Sequence, residues 1–215
     1  MLVITSTTTL VPDNPAAAYA AYRQAASAVF LAGTQGLKYK KDHYDLAVDL
    51  SKAGLTYIDE RADEIVIGAM TPLWQIKISQ AIQNFAGGAI SKAISDVADK
   101  NIQRYGTLGG VISSKAPFSV LLPILLSLHV DVQLQDKGCM SLDDYLHCPP
   151  MGELVTGISI AKEAVYTAYK AYRKLPVDEP YLVGAVAMRD DSWRIVVGGR
   201  PGLAAIARSA SEELT

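Results

Sequence analysis

Two short glycine-containing stretches constrain this 215-residue chain more than any other feature. Residues 31–37 read L-A-G-T-Q-G-L, residues 106–111 read G-T-L-G-G-V, and both adjoin apolar runs. A backbone without large side chains can bring its amide groups close to another group, and phosphate is a typical partner. The alternative is that both stretches are tight turns between a strand and a helix. Neither is a Walker A loop or a Rossmann G-x-G-x-x-G.

Composition narrows the possible partners. The net charge is −2, so we expect neither nucleic acid nor a membrane surface as a partner. The most apolar stretch, Phe118–Val130, has 13 residues with an internal proline and is too short to span a bilayer. Because no basic region precedes the first apolar residues, we expect no signal peptide and a cytoplasmic protein.

The cysteines, histidines and serines of the chain form no pattern typical of a metal site or of a catalytic triad. Cys139 and Cys148 are too few for a disulfide scaffold or for an iron–sulfur cluster of their own. The three histidines have no metal-ligand spacing, so we predict no metal site. No Ser-His-Asp pattern is recognisable, and we predict no catalytic residue.

The order of the secondary-structure signals indicates an α+β fold. Asn14 and Pro15 are typical of a helix start. R-D-D-S between two apolar runs predicts a β-hairpin over 182–197. Periodicity predicts further strands at 28–31, 45–50, 64–69 and 130–135, helices at 72–85, 89–97, 118–128 and 202–214, and a loop at 101–114.

The quoted stretches, taken in order, resemble the flavoprotein subunit of the xanthine dehydrogenase and carbon monoxide dehydrogenase family, the molybdenum hydroxylases. That family carries A-G-G-T-D-L, then I-G-A-x-T, then I-R-N-x-A-T-I-G-G-N, then S-P-A-A-D-L-L-P-x-L-L-A-L. The matching stretches here are L-A-G-T-Q-G-L at 31–37, I-G-A-M-T at 67–71, I-Q-R-Y-G-T-L-G-G-V at 102–111 and K-A-P-F-S-V-L-L-P-I-L-L-S-L at 115–128.

The resemblance implies a PCMH-type FAD-binding module of two α/β subdomains, at about 1–52 and 53–146. A short, truncated antiparallel-sheet domain would follow at 147–215. We place the boundary in L-H-C-P-P-M-G at 146–152, because two consecutive prolines cannot continue a helix.

The resemblance also implies that the two glycine stretches hold the pyrophosphate of FAD. Three of the implied positions depart from the family pattern: Ala32 replaces a glycine, Val111 an asparagine and Val120 an aspartate. Each lost hydrogen bond is worth roughly 0.5–1.5 kcal/mol, so we expect weaker FAD binding rather than none. The implied cofactor-binding residues are Phe30, Leu31, Ala32, Gly33, Thr34, Gln35 and Gly36, then Thr107, Gly109, Gly110, Val111, Ser113, Ser114 and Val120.

In function, the resemblance implies a flavin subunit of a multi-subunit oxidoreductase. Electrons would come from a [2Fe-2S] small subunit, fed by a molybdopterin-binding large subunit, and FAD would pass them to NAD or another acceptor. Two alternatives stay open: a cofactor-free docking subunit, and the flavin subunit of a complex resembling the selenate reductases. The tyrosines at 166–172 and Tyr181 would contact the flavin ring or, as we favour, serve in ordinary packing or as interface surface.

Overall fold

The computed structural model describes residues 5–37, 42–97, 99–163, 165–175, 178–199 and 202–215. Residues 1–4 of the first predicted subdomain, and 200 and 201 of the C-terminal stretch, lie outside these ranges. Within them the helices are α1 (Pro15–Gln24), α2 (Leu73–Ile78), α3 (Gln80–Asn84), α4 (Ala89–Ser95), α5 (Lys100–Tyr105), α6 (Leu108–Ser114), α7 (Leu121–Ser127), α8 (Leu142–His147) and α9 (Arg208–Leu214). The strands are β1 (Thr5–Leu10), β2 (Ala28–Leu31), β3 (His43–Asp49), β4 (Ile58–Glu60), β5 (Glu64–Gly68), β6 (Val130–Leu134), β7 (Gly138–Ser141), β8 (Val155–Ala161), β9 (Tyr166–Tyr172), β10 (Leu182–Arg189), β11 (Ser192–Gly198) and β12 (Ala205–Ile206).

The N-terminal unit is a parallel three-stranded sheet in the order β1-β3-β2. Connections between parallel strands must cross over the sheet, and α1 forms the crossover from β1 to β2, the two strands on either side of β3. The predicted start of α1 is confirmed: the Asn14 side chain accepts a hydrogen bond from the Ala17 amide at 2.8 Å, and Pro15 is the first helical residue. The strand predicted at 28–31 is confirmed as well.

A second, antiparallel sheet has the order β4-β5-β8-β6-β7. Its buried face carries Ile65, Ile67, Ile158 and Ile160, which belong to the main hydrophobic core with α2, α4, α6 and α7. The central strand β8 follows the predicted domain boundary at 146, yet it pairs with β5 and β6. Because a sheet is one packing unit, we propose a domain boundary beyond Ala161.

The C-terminal unit is an antiparallel sheet in the order β12-β11-β10-β9, and the expected C-terminal antiparallel sheet is confirmed. The predicted hairpin is β10–β11, and its turn residues Asp190 and Asp191 have φ values of 45° and 61°. Such left-handed pairs form the turns whose twist matches that of the two strands. One face of this sheet packs on α7, where a Cβ at Gly198 would lie 2.5 Å from Pro123.

Three predicted elements are wrong in detail. The helix predicted at 202–214 begins only at Arg208, because Ala205–Ile206 forms strand β12 against β11. The helix predicted at 72–85 is interrupted at Ser79, whose ψ of 126° is extended, so α2 and α3 are separate. The loop predicted at 101–114 is instead the two helices α5 and α6. Its glycines suggested a loop, but the Thr107 side chain caps α6 by accepting a hydrogen bond from the Gly110 amide at 3.2 Å.

Candidate functional site

The first glycine loop, residues 32–37, follows β2 and rests directly against the beginning of the second. A Cβ atom built on Gly33 would lie 2.0 Å from the carbonyl oxygen of Tyr105 and 3.1 Å from the Cα of Gly106. Side chains do not tolerate such distances, so only glycine fits at position 33. The structure thus brings the two predicted loops together, and the nearest group to Gly33 is the protein backbone itself.

Two features of the first loop bear on ligand binding: strain in its backbone, and two amides without an acceptor among the described residues. Thr34 has a φ of 56°, a left-handed conformation that is rare for a β-branched residue. The side-chain amide of Gln35 donates to the Gly33 carbonyl at 3.2 Å and helps to hold the loop closed. The amides of Gly33 and Thr34 donate to no acceptor in the described part of the chain.

The second glycine loop, residues 106–111, is fixed by the segment 69–73. The Leu108 amide donates to the Thr71 carbonyl at 3.1 Å, and the Gly109 amide to the Ala69 carbonyl at 2.8 Å. In the reverse direction, the Leu73 amide donates to the Gly106 carbonyl at 2.9 Å. The first amides of α6 are therefore engaged within the protein, and they are not open donors for a ligand.

Close packing explains the glycine at position 109 as well. A Cβ there would lie 2.8 Å from the Cβ of Ala69. Gly110 donates its amide to Thr107, as described, and a Cβ at Gly110 would lie 3.1 Å from that same hydroxyl oxygen. These two glycines serve the contact with 69–73 and the start of α6.

Thr107 is the buried polar side chain of the second loop. It is 4% exposed, and its hydroxyl oxygen accepts the Gly110 amide at 3.2 Å. A hydroxyl is both acceptor and donor, so this oxygen still has a proton to give. The proton has no acceptor among the described residues.

Other predicted site residues have contacts within the protein. Phe30 stacks on Tyr22 with ring centroids 4.2 Å apart, in the small core beneath α1. Leu31 ends β2 opposite Asp49, and Ala32 is half-buried beside it. Gly36 is exposed, and a Cβ there would meet nothing within 4 Å.

The positions after the second loop divide between core and surface. Val120 is 5% exposed within the main core, and Val111 is partly buried against it. Ser114 donates to the Val111 carbonyl at 3.0 Å, one turn back in α6. Ser113 is exposed, and it hydrogen-bonds with Tyr145, whose pKa is raised chiefly by burial.

Lys115, which follows α6, is turned toward α8. Its ammonium group donates to the Leu146 carbonyl at 3.2 Å and lies 5.4 Å from the centre of the Tyr145 ring. Burial lowers the pKa of this lysine, and the nearby Cys148 partly offsets the effect. The contacts of this charge are therefore with α8 rather than with the first loop.

The tyrosines of β9 lie on opposite faces of the C-terminal sheet. Tyr166 and Tyr172 are exposed on one face, whereas Tyr169 is 6% exposed and belongs to the main core on the other. Burial, followed by the nearby Asp96, raises the pKa of Tyr169. Packing, the role we favoured, thus describes Tyr169.

A cleft of about 740 Å³ lies elsewhere, between one end of the five-stranded sheet and the C-terminal sheet. None of the residues 31–37 or 106–111 lines it. Carboxylates and arginines both line it, including Asp63, Asp131, Arg194 and Arg208. The cleft is therefore separate from the candidate site at the two glycine loops.

Sequence reasoning missed the residues that hold the two loops in place. Tyr105 and Gly106 supply the backbone surface under Gly33, and Ala69 and Thr71 supply the acceptors for α6. The signal for the last two was present in I-G-A-M-T, although no role was assigned to that stretch. The contact at residue 105 could not be predicted, because it involves the backbone carbonyl, which every residue type has.

Comparison with known proteins identifies the family of the chain. A family model described as "FAD binding domain in molybdopterin dehydrogenase" matches residues 5–162. The uncharacterized protein YgfM of Escherichia coli K12 is 29% identical over 175 residues, which make up 80% of this chain and 66% of that protein. The chain thus spans about two thirds of the length of this relative.

Solved structures share the fold. Carbon monoxide dehydrogenase from Hydrogenophaga pseudoflava aligns with a TM-score of 0.87 at 22% identity, covering 96% of this chain and 79% of that chain. Quinoline 2-oxidoreductase from Pseudomonas putida 86 aligns with a TM-score of 0.85 at 18% identity, covering 100% of this chain and 80% of that one.

Across the described residues, every helix is too short or too polar to cross a membrane.

Proposed function

Because the chain belongs to the family of FAD binding domains of molybdopterin dehydrogenases, we propose that it is the FAD-binding electron-transfer subunit of a multi-subunit oxidoreductase. The family match names FAD, and this confirms the cofactor expected from the sequence. When bound, the flavin supplies the redox chemistry, and the protein contributes binding, orientation and electrostatics. In this proposal the chain itself hydroxylates no substrate.

The single observation that supports the site best is the contact of Gly33 with Tyr105 and Gly106. The amides of Gly33 and Thr34, which have no acceptor among the described residues, thus lie on the loop that adjoins Thr107. A pyrophosphate is bound by hydrogen-bond donors that lack other acceptors, and backbone amides in turns are typical donors. Residues 31–37 and 105–111 contain no aspartate or glutamate that would repel the anion. The residues present therefore fit a pyrophosphate.

The proposed assignment differs between the two loops. In the first, the amides of Gly33 and Thr34 would donate to the phosphates. In the second, we assign the direct contact to the hydroxyl proton of Thr107, because the amides of Leu108 and Gly109 already have carbonyl acceptors. Gly109 and Gly110 would then act by allowing close packing, and Gln35 by closing the first loop around the Gly33 carbonyl.

Val111 and Val120 favour a second candidate, a docking subunit without cofactor. Val120 is 5% exposed in the core and offers no polar contact to a bound polyol. Two missing hydrogen bonds of roughly 0.5–1.5 kcal/mol each weaken binding by about tenfold to a hundredfold. We therefore retain FAD as the ligand and expect an affinity in the weaker part of the range for flavoproteins.

The wider electron path is part of the same proposal. Electrons would arrive from a [2Fe-2S] small subunit served by a molybdopterin-binding large subunit, and would leave from the flavin to NAD or another acceptor, in the cytoplasm. Carbon monoxide dehydrogenase and quinoline 2-oxidoreductase, both of the same fold, are oxidoreductases by name. The selenate-reductase-like alternative differs only in the partner subunits, which purification with the associated proteins would identify.

The decisive experiment is titration of the purified chain with FAD, followed by flavin fluorescence and by absorbance after desalting. Flavin bands that remain with the protein support the proposal. Thr107→Val should weaken binding by about tenfold through the lost donor, and Thr107→Ser should restore it. If the chain does not bind FAD, the result favours the second candidate, a docking subunit without cofactor.

Addition of NADH to the loaded protein without oxygen then tests the acceptor. Bleaching of the flavin bands means that NADH delivers a hydride to this flavin, as expected if NAD is the physiological partner. Unchanged bands, in a sample that dithionite still bleaches, would exclude NAD and leave another acceptor.

A further inference from the structure

We propose that Thr71 is a positioning residue for the cofactor site, acting through the second glycine loop. The inference rests on the proposed function, because it concerns how the FAD-binding loop is held. Thr71 does not offer its own hydroxyl to a ligand: the side chain is fully buried, donates to the Tyr57 carbonyl at 2.9 Å and accepts from the Tyr57 amide at 3.1 Å. Both roles of the hydroxyl are thus used within the protein.

The backbone of Thr71 connects this buried bond to the loop. Its carbonyl accepts the Leu108 amide at 3.1 Å, and its amide donates to the Gly68 carbonyl at 3.0 Å. The next residue, Pro72, forms an isolated β-bridge with Thr107. Thr71 is therefore the residue at which the hydrogen bonds to Tyr57 and the hydrogen bonds to α6 meet.

Hydrogen bonds on both sides of Thr107 follow from this arrangement. The Gly106 carbonyl is held by Leu73 and the Gly109 amide by Ala69, at 2.9 and 2.8 Å. Thr71 carries the one hydroxyl in the stretch A-M-T-P-L at 69–73. Its side chain is therefore the side-chain tie between this stretch and Tyr57, beside two backbone bonds at 2.9 Å, from the Met70 amide to the Leu55 carbonyl and from the Ala69 amide to the Thr156 carbonyl.

Removal of the hydroxyl should move the loop without touching a ligand. Thr71→Val keeps the shape of the side chain, but it leaves the Tyr57 amide without its acceptor. The Tyr57 carbonyl keeps a second donor, the Gly68 amide at 3.0 Å, so the loss is confined to one bond pair. If residues 69–73 shift, the second glycine loop shifts with them. The distance from the Thr107 hydroxyl to the amides of Gly33 and Thr34 then changes.

Amide hydrogen exchange of the chain without FAD tests the positioning directly. In Thr71→Val we expect the amides of Leu108 and Gly109 to exchange at least about tenfold faster, because the stretch that carries their acceptors has lost its side-chain bonds to Tyr57. Core amides of β8, such as Ile158, should keep their protection, which shows that the variant is folded. Thr71→Ser, which retains the hydroxyl, should restore slow exchange, and Thr71→Ala serves in place of valine if that variant does not fold.

FAD titration of the same variants tests the link to the cofactor. Thr71→Val should raise the Kd for FAD about tenfold and shift the phosphorus resonances of the bound pyrophosphate, and Thr71→Ser should do neither. Unchanged exchange at Leu108 and Gly109 would overturn the positioning role, even if stability fell. Faster exchange with an unchanged Kd would overturn its connection to the cofactor. If the wild-type chain binds no FAD, both the proposed function and the positioning role of Thr71 for the cofactor site are wrong.

Discussion

Replacement of Gly33 by alanine tests the contact between the two glycine loops with a single methyl group. That methyl would lie 2.0 Å from the Tyr105 carbonyl oxygen and 3.0 Å from its carbonyl carbon. Nonbonded heavy atoms pack at about 3.5 Å, so the loops must separate by at least about 1 Å. Both neighbours are backbone, so no side chain can rotate to make room.

The expected effect has two parts. Overpacking of this kind lowers the free energy of unfolding by about 1–3 kcal/mol. Separation of the loops also moves the Gly33 and Thr34 amides away from Thr107, and a misplacement equivalent to 1.4 kcal/mol raises the Kd for FAD about tenfold. We therefore expect lower stability together with weaker FAD binding.

Gly36→Ala is the matched control in the same loop. Position 36 is exposed, with nothing within 4 Å of the added Cβ, so we expect a free energy of unfolding close to that of the wild type. Urea unfolding of both variants and FAD titration of Gly33→Ala against the wild type provide the comparison. If Gly33→Ala unfolded like Gly36→Ala and bound FAD like the wild type, the argument from close packing would be refuted.

Three further outcomes follow from the structure. Thr34→Gly relieves the left-handed backbone and should raise the free energy of unfolding by up to about 1 kcal/mol, measured in urea; a loss of stability would contradict the strain. Burial and then Arg189 lower the pKa of His129, so wild-type stability should fall as the pH drops below about 6.5, and the melting temperature of His129→Gln should lack that part of the decline. The effect is small because the side chain is 45% exposed, and identical pH profiles would refute it. Ser211→Ala leaves the Ile195 amide without its acceptor at 3.0 Å and should cost about 1–3 kcal/mol, whereas loss of less than about 0.5 kcal/mol would show that another group replaces it.

Local signals predicted the elements that local interactions stabilise. Asn14 and Pro15 marked the start of α1 because capping depends on neighbours in the chain, and Asp190 with Asp191 marked the hairpin for the same reason. Residues 101–114 were misread as a loop. The start of α6 depends on distant acceptors in 69–73, whereas α5 begins at a local cap, the Asp99 side chain that accepts from the Asn101 amide at 2.7 Å. Prolines near 150 suggested a boundary, but the pairing of β8 with β5 and β6 is a long-range property.

The candidate site was predicted from the order of its motifs rather than from any one of them. The two loops that the resemblance joined do lie in contact, through Gly33 and Tyr105. The residue types alone did not show that α6 has its first amides engaged, since carbonyl acceptors are present at every position. Nor did they show that Val120 lies in the main hydrophobic core, where its side chain packs against apolar neighbours.

The contact under Gly33 also affects how related sequences should be read. The opposing atom is a backbone carbonyl, so no substitution at position 105 removes it. A descendant that had stopped using a flavin would still need glycine at position 33 to keep its two loops packed. That glycine is thus evidence of ancestry and fold.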